Sequence, residues 1–148
     1  KHVVVFSGLM FLGGFILCGL DHRFAWSQVP FWVVITASML FLIGYVIYAE
    51  VLRENAYLSR TVEVQDNQQL IDTGLYSIVR HPMYTATLLM FLSMPLILGS
   101  WWALLLFAFY PWLIIKRIQN EEQVLVSGLK GYADYKKQVR WRLIPWVW

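Results

Sequence analysis

The stretch Gly74-Leu75-Tyr76-Ser77-Ile78-Val79-Arg80-His81-Pro82-Met83-Tyr84 sets a guanidinium, an imidazole and a proline side by side, just ahead of a long apolar run. Pro82 has no backbone N–H, biases His81 out of the helical region and suits the first turn of a new helix. Arg80 and His81 are therefore expected in a bend at the mouth of an apolar helix. The start of that helix would carry free N–H groups and the positive end of its dipole, a site for a carboxylate or a phosphate. Roughly forty residues later come Glu121-Glu122, then Tyr132-x-x-Tyr135-Lys136-Lys137. A Glu of the pair can accept from hydroxyls or from an ammonium. Each group also has a plain structural reading. Basic residues often flank membrane helices, and the Glu pair fits a solvated helix face with Arg117 placed i,i+4 to Glu121.

The elements that must hold these groups are apolar. Hydrophobic residues make up 59% of the 148 and charged residues 14%, where a soluble domain has about a quarter charged. The chain lacks the polar groups to cover a water-facing surface, so a single membrane domain is expected. Val3 to Leu20 is an uncharged run of eighteen. It is longer than a signal-peptide core and no small-x-small cleavage site follows it. Gly8, Gly13 and Gly14 on it would let a neighbouring helix come close. Asp21-His22-Arg23 then opens a polar loop that ends near Pro30, with His22 a loop residue. Phe31 to Ala49 is a second span, closed by Glu50, Arg53 and Glu54, with Glu50 solvated or paired. In the polar segment 55–72, the alternation Thr61-Val62-Glu63-Val64-Gln65 suggests an extended piece and Asp72-Thr73-Gly74 a turn. Cys18 is expected as a buried thiol acting as a small hydrophobe. No Cys/His cluster has metal-ligand spacing, so no metal is expected.

Met83 to Leu98 and Trp101 to Ile115 form a hairpin about a tight turn at Gly99-Ser100. Runs of fifteen or sixteen residues make about 24 Å of helix, short of a hydrocarbon core of about 30 Å. The fourth helix is expected to continue to about Val126, leaving the bilayer and carrying Glu121 and Glu122 into the cytosol-facing layer. The polar middle segment and the basic tail then share one side of the membrane. That side is cytoplasmic by the distribution of Lys and Arg. The expected fold is all-α and polytopic, with about four transmembrane helices, both ends inside and a cytoplasmic amphipathic tail. Tyr132-x-x-Tyr135 is read as an interfacial helix with aromatics toward lipid and Lys136-Lys137 toward water. The basic tail suits anionic membrane lipid. No nucleic-acid-binding module accompanies it, so no nucleic-acid partner is expected.

Taken in order, Gly74-x-Tyr76-x-x-x-Arg80-His81-Pro82-x-Tyr84, Glu121-Glu122-x-x-Leu125 and Tyr132-x-x-Tyr135-Lys136-Lys137 resemble the isoprenylcysteine carboxyl methyltransferase family. These are integral membrane enzymes that use S-adenosylmethionine. The resemblance covers roughly Gln69 to Pro145, about half the chain. It implies a membrane methyltransferase domain over 1–148, with two helices in 1–54 and a cofactor-binding core in 69–145. It implies a cofactor site drawn from Leu70, Gly74, Tyr76, Val79, Arg80, His81, Pro82, Tyr84, Glu121 and Glu122, with Glu122 and Arg140 as catalytic residues and a lipophilic small molecule or lipid as acceptor. The family often reads Tyr-Lys-Lys-Arg-Val-Pro at the tail, and its Arg is implied to meet the substrate carboxylate. Gln138 stands there instead, so Arg140 or Arg142 serves from a shifted position, or the acceptor is not a prenylcysteine carboxylate. Phospholipid N-methylation and small-thiol methylation are the alternatives within the class. Outside it stand a nicotinamide-dependent membrane reductase, against which the missing glycine-rich fingerprint argues, and a non-catalytic membrane subunit.

Overall fold

The computed structural model describes residues 2–57, 64 and 67–148. Its elements are α1 His2–Phe24, α2 Phe31–Glu54, a 3-10 turn Gly74–Ser77, α3 Pro82–Ile97, α4 Trp101–Phe107, α5 Tyr110–Gly128 and α6 Tyr132–Gln138. There is no strand among the described residues, and the all-α expectation is met. The alternating segment Thr61 to Gln65 lies outside the described residues, apart from Val64.

Three stretches, Val5–Phe24, Phe31–Glu54 and Trp101–Gly128, are long and apolar enough to cross a membrane. The apolar α3 is shorter, at 16 residues. Large side chains such as Phe6, Leu12, Trp32 and Val46 point outward, as lipid-facing groups do. The protein is an integral membrane protein.

Helices gain little from the hydrophobic effect when lipid is the alternative, so close packing holds them together. Helix α2 lies along α3 at Gly44, where an added Cβ would come 2.9 Å from the Ala86 carbonyl oxygen and from Met90 Cγ. Helix α1 lies on α4 at Gly14, directly under the Phe107 ring. Gly8 does not take part as expected: nothing would lie within 4 Å of its Cβ. The main cluster, Met10, Tyr84, Phe107, Tyr110, Ile114, Ile118 and Leu143, joins α1, α3, α4, α5 and the C-terminal segment. Cys18 is buried and free, as a small hydrophobe would be.

Three expectations are corrected. Asp21-His22-Arg23 belongs to α1 and not to a loop. The helix continues because the Asp21 carboxylate is fully buried and accepts from the Ser27 amide at 2.8 Å, from Ser27 Oγ at 2.6 Å and from Ser100 Oγ. The fourth run does continue past Ile115, as far as Gly128, but as two helices and not one. Pro111 cannot donate to the Phe107 carbonyl, so α4 stops there and α5 restarts with the proline in its first turn. The tail is not a lipid-facing amphipathic helix either. Tyr132 and Tyr135 are buried with Leu129 and Val139, against Leu70 and Leu125, because Gly131, at φ 86°, turns the chain back onto α5.

The molecule thus has two working ends. One gathers the C-terminus of α1, the 25–30 loop and the α3–α4 turn, tied by Asp21, Ser27 and Ser100. The other gathers the end of α2, the mouth of α3, the second half of α5 and the tail.

Candidate functional site

The mouth of α3 is built as its residues dictate. His81 caps the helix with φ −129° and Pro82 occupies the first turn. The amides of Tyr84 and Thr85 fold back to the His81 carbonyl at 3.0 and 3.3 Å, so fewer N–H groups are left for an anion than the bend suggests. The C-terminal strap crosses this mouth in extended form. Trp141 O accepts from the Arg80 amide and Arg142 O from the His81 amide, each at 2.9 Å. Thr85 Oγ1 donates to Leu143 O at 2.7 Å.

Glu122 is the charge centre of this end. Its side chain is only 4% exposed, with Arg80 Nη2 at 2.7 Å, Lys136 Nζ at 3.2 Å, Arg142 Nε at 3.2 Å and His81 Nε2 at 3.4 Å. Arg80 also donates from Nη1 to the carbonyls of Val139 and Arg140, at 2.7 and 2.9 Å. Arg80 is thereby a clamp between α5 and the strap. Arg142 lies over the Trp148 ring, 4.8 Å from its centroid. A buried carboxylate is tolerated only when paired in this way.

Glu121 points elsewhere. It accepts from Tyr84 Oη, and that hydroxyl accepts from Arg117 Nε at 2.7 Å. Glu121 and Tyr84 face a cleft that opens to solvent between the mouth of α3, the second half of α5 and α6. Of the residues expected at the site, Leu70, Tyr76, Arg80, His81, Tyr84 and Glu121 line the cleft. Gly74, Val79, Pro82, Glu122 and Arg140 do not. Gly74 is pressed against α2: at φ 53° a Cβ there would sit 1.5 Å from Glu54 Oε1. Val79 and Pro82 are buried. Arg140 is exposed and turns its carbonyl, not its guanidinium, toward Arg80.

Sequence reasoning missed Asn55, Met83, Val124, Leu125, Leu129, Tyr132 and Tyr135 as lining residues, along with Tyr57, Gln68, Gln69 and Ile71. Part of this was findable. Glu121, Val124 and Leu125 recur at i, i+3, i+4 on one helix face. Asn55 ends α2 and donates to Tyr76 Oη at 2.8 Å, a contact without a local signal. Burial pushes the Tyr76, Tyr132 and Tyr135 hydroxyls above their ordinary pKa. For Tyr132 the nearby Glu122 charge adds to that rise.

The profile of the phospholipid methyltransferase family matches residues 32–130. The chain belongs to that family. A protein-S-isoprenylcysteine O-methyltransferase of Dictyostelium discoideum is 34% identical over 87 residues, covering 57% of this chain and 36% of that protein. One from Schizosaccharomyces pombe is 31% identical over 107 residues, covering 66% and 45%. A delta(14)-sterol reductase of Mus musculus is 31% identical over 91 residues, covering 60% and 22%. A solved eukaryotic intramembrane isoprenylcysteine carboxyl methyltransferase has a TM-score of 0.75 to this chain at 21% identity, covering 95% of this chain and 52% of that one. That likeness is one of fold. The isoprenylcysteine carboxyl methyltransferase resemblance carried by the three motifs is borne out. This phospholipid methyltransferase family chain spans less than half the length of each curated relative named.

Proposed function

We propose that this chain binds S-adenosylmethionine in the cleft between the mouth of α3 and the second half of α5, and methylates a lipophilic acceptor there, a prenylated cysteine carboxylate in the first instance. The observation that carries the reading is the convergence of Tyr76, His81, Tyr84 and Glu121 on one cleft, in a chain matched by a methyltransferase family over residues 32–130. The residues present fit the cofactor. Glu121 accepts from ribose hydroxyls or the ammonium, the tyrosines pack the adenine, and the buried Tyr132 hydroxyl has no protein partner. When bound, the cofactor supplies an activated methyl on a sulfonium.

The chain's own contribution is to bind, orient and set the local field. In the transfer, a carboxylate oxygen forms a bond to the methyl carbon. A bound cofactor would supply that methyl and keep the electron pair of the carbon–sulfur bond on sulfur, so the transfer would balance without a further reactant. A carboxylate acceptor has no proton to lose, so no base is required. Neither Arg140 nor Arg142 lines the cleft; Arg142, half-buried between Glu122 and Trp148, is the one whose guanidinium turns toward this end, and we assign that carboxylate to it. An amine or thiol acceptor would need a base, and among the described residues Glu121 is the carboxylate that lines the cleft. The cleft end faces the cytoplasm, supported by the lysines and arginines gathered there. The cofactor enters from water and the acceptor from the bilayer.

Calorimetric binding of S-adenosylhomocysteine to detergent-purified protein tests the reading, with NADPH as control. We expect S-adenosylhomocysteine alone to bind, and Glu121→Ala to weaken it. Binding of NADPH instead would favour the second reading, a reductase, which the mouse sterol reductase similarity supports. Binding of neither would sink the proposal for this chain.

A further inference from the structure

The cleft contains one buried polar group that the fold leaves without use. Among the described residues, the buried side-chain atoms without a hydrogen bond are His81 Nε2 and Tyr132 Oη. His81 Nε2 has a charged neighbour, Glu122 Oε1 at 3.4 Å. Tyr132 Oη has none within hydrogen-bonding distance. The neighbouring tyrosines of the cleft are satisfied: Tyr135 Oη donates to Tyr76 O at 2.7 Å, and Tyr84 Oη is held between Glu121 and Arg117. Tyr132 is 3% exposed and lines the cleft beside Leu70, Leu125 and Leu129. An unpaired hydroxyl in such a place is costly unless something outside the chain completes it.

We propose that the Tyr132 hydroxyl is a ligand-binding donor, completed by a ring nitrogen of the adenine when the adenosyl cofactor is bound. This rests on the cleft being an S-adenosylmethionine site. The choice of atom follows from complementarity. Glu121 is an acceptor and selects the ligand's donors, the ribose hydroxyls or the ammonium. Tyr132 offers a donor among aliphatic and aromatic walls, which suit a flat heterocycle whose edge presents nitrogen lone pairs. Its hydroxyl stays protonated, since burial and the Glu122 charge both oppose its ionisation.

The test compares wild type and Tyr132→Phe by calorimetry with S-adenosylhomocysteine and its 1-deaza, 3-deaza and 7-deaza analogues. Removing the hydroxyl should weaken S-adenosylhomocysteine about tenfold. One deaza analogue should bind wild type weaker by a similar factor. It should show no further loss against Tyr132→Phe, the signature of a shared contact. Equal affinity of the two proteins for S-adenosylhomocysteine overturns the assignment and leaves the methyltransferase reading standing. So do losses that simply add for all three analogues. Wild type that binds no S-adenosylhomocysteine overturns the underlying reading and this assignment with it. Ligand-free Tyr132→Phe should melt no lower than wild type. A lower melting temperature shows that the hydroxyl already has a structural partner, and overturns the proposal.

Discussion

Glu121 and Glu122 are adjacent in the chain, yet about 100° apart around α5. That angle gives two equal carboxylates different work. Glu122 turns inward to Arg80, Lys136 and Arg142, while Glu121 turns to Tyr84 and the cleft. Glu122→Ala leaves buried cations unpaired and should destabilise the protein by about 3–5 kcal/mol, read as a lower midpoint in thermal unfolding in detergent. Glu121→Ala should shift that midpoint far less and lose ligand affinity instead, read by calorimetry. The motif itself was legible, because a Glu pair after Arg-His-Pro is a specific order. The division of labour was not, since nothing in two neighbouring glutamates says which one a distant arginine will meet. Arg140 and Arg142 present the same difficulty: on an extended strap, orientation depends on which backbone groups pair, and the pairing here is with Arg80 and His81.

At the level of elements, the α2–α3 contact depends on Gly44. Gly44→Val must push its side chain against the Ala86 carbonyl and Met90, and should cost about 1–3 kcal/mol. Gly8→Ala faces open space and should be neutral or slightly stabilising. Paired thermal melts check both. The α6 cluster gives a pH dependence. The hydroxyls of Tyr76, Tyr132 and Tyr135 sit above their ordinary value of 10.0 in the folded state, mainly through burial. Below that value folded and unfolded chains are both protonated and lose nothing. Above it the unfolded chain ionises first, so stability falls as pH rises. Denaturant midpoints should hold steady up to about pH 9 and drop beyond about pH 10. Phenylalanine at all three positions should flatten the drop. Helix positions could be read from the apolar runs, because lipid demands long uncharged stretches. The burial of Tyr132 and Tyr135 could not, because a short helix with aromatics on one side and lysines on the other fits a lipid surface as well as a fold-back.

Across the whole molecule the two ends are separable, since α3 alone sets them about 24 Å apart. Asp21→Ala removes the acceptor that Ser27 and Ser100 share. It should lower thermal stability by about 1–3 kcal/mol, with affinity for S-adenosylhomocysteine unchanged. A matching loss of affinity would show that the ends are coupled. Asp21 was hidden in the sequence because Asp-His-Arg has the look of a loop, while its partner lies 79 residues away.

The strap over Arg80 and His81 also fixes an order of events. A ribosome delivers this chain from its amino end, so every apolar span among the described residues is synthesised before Val139 to Leu143. The mouth of α3 is left unbraced during that interval, with the backbone amides of Arg80 and His81 waiting for Trp141 and Arg142. Synthesis of the apolar spans therefore precedes completion of the cleft, and a chain ending before Val139 lacks the strap that braces it.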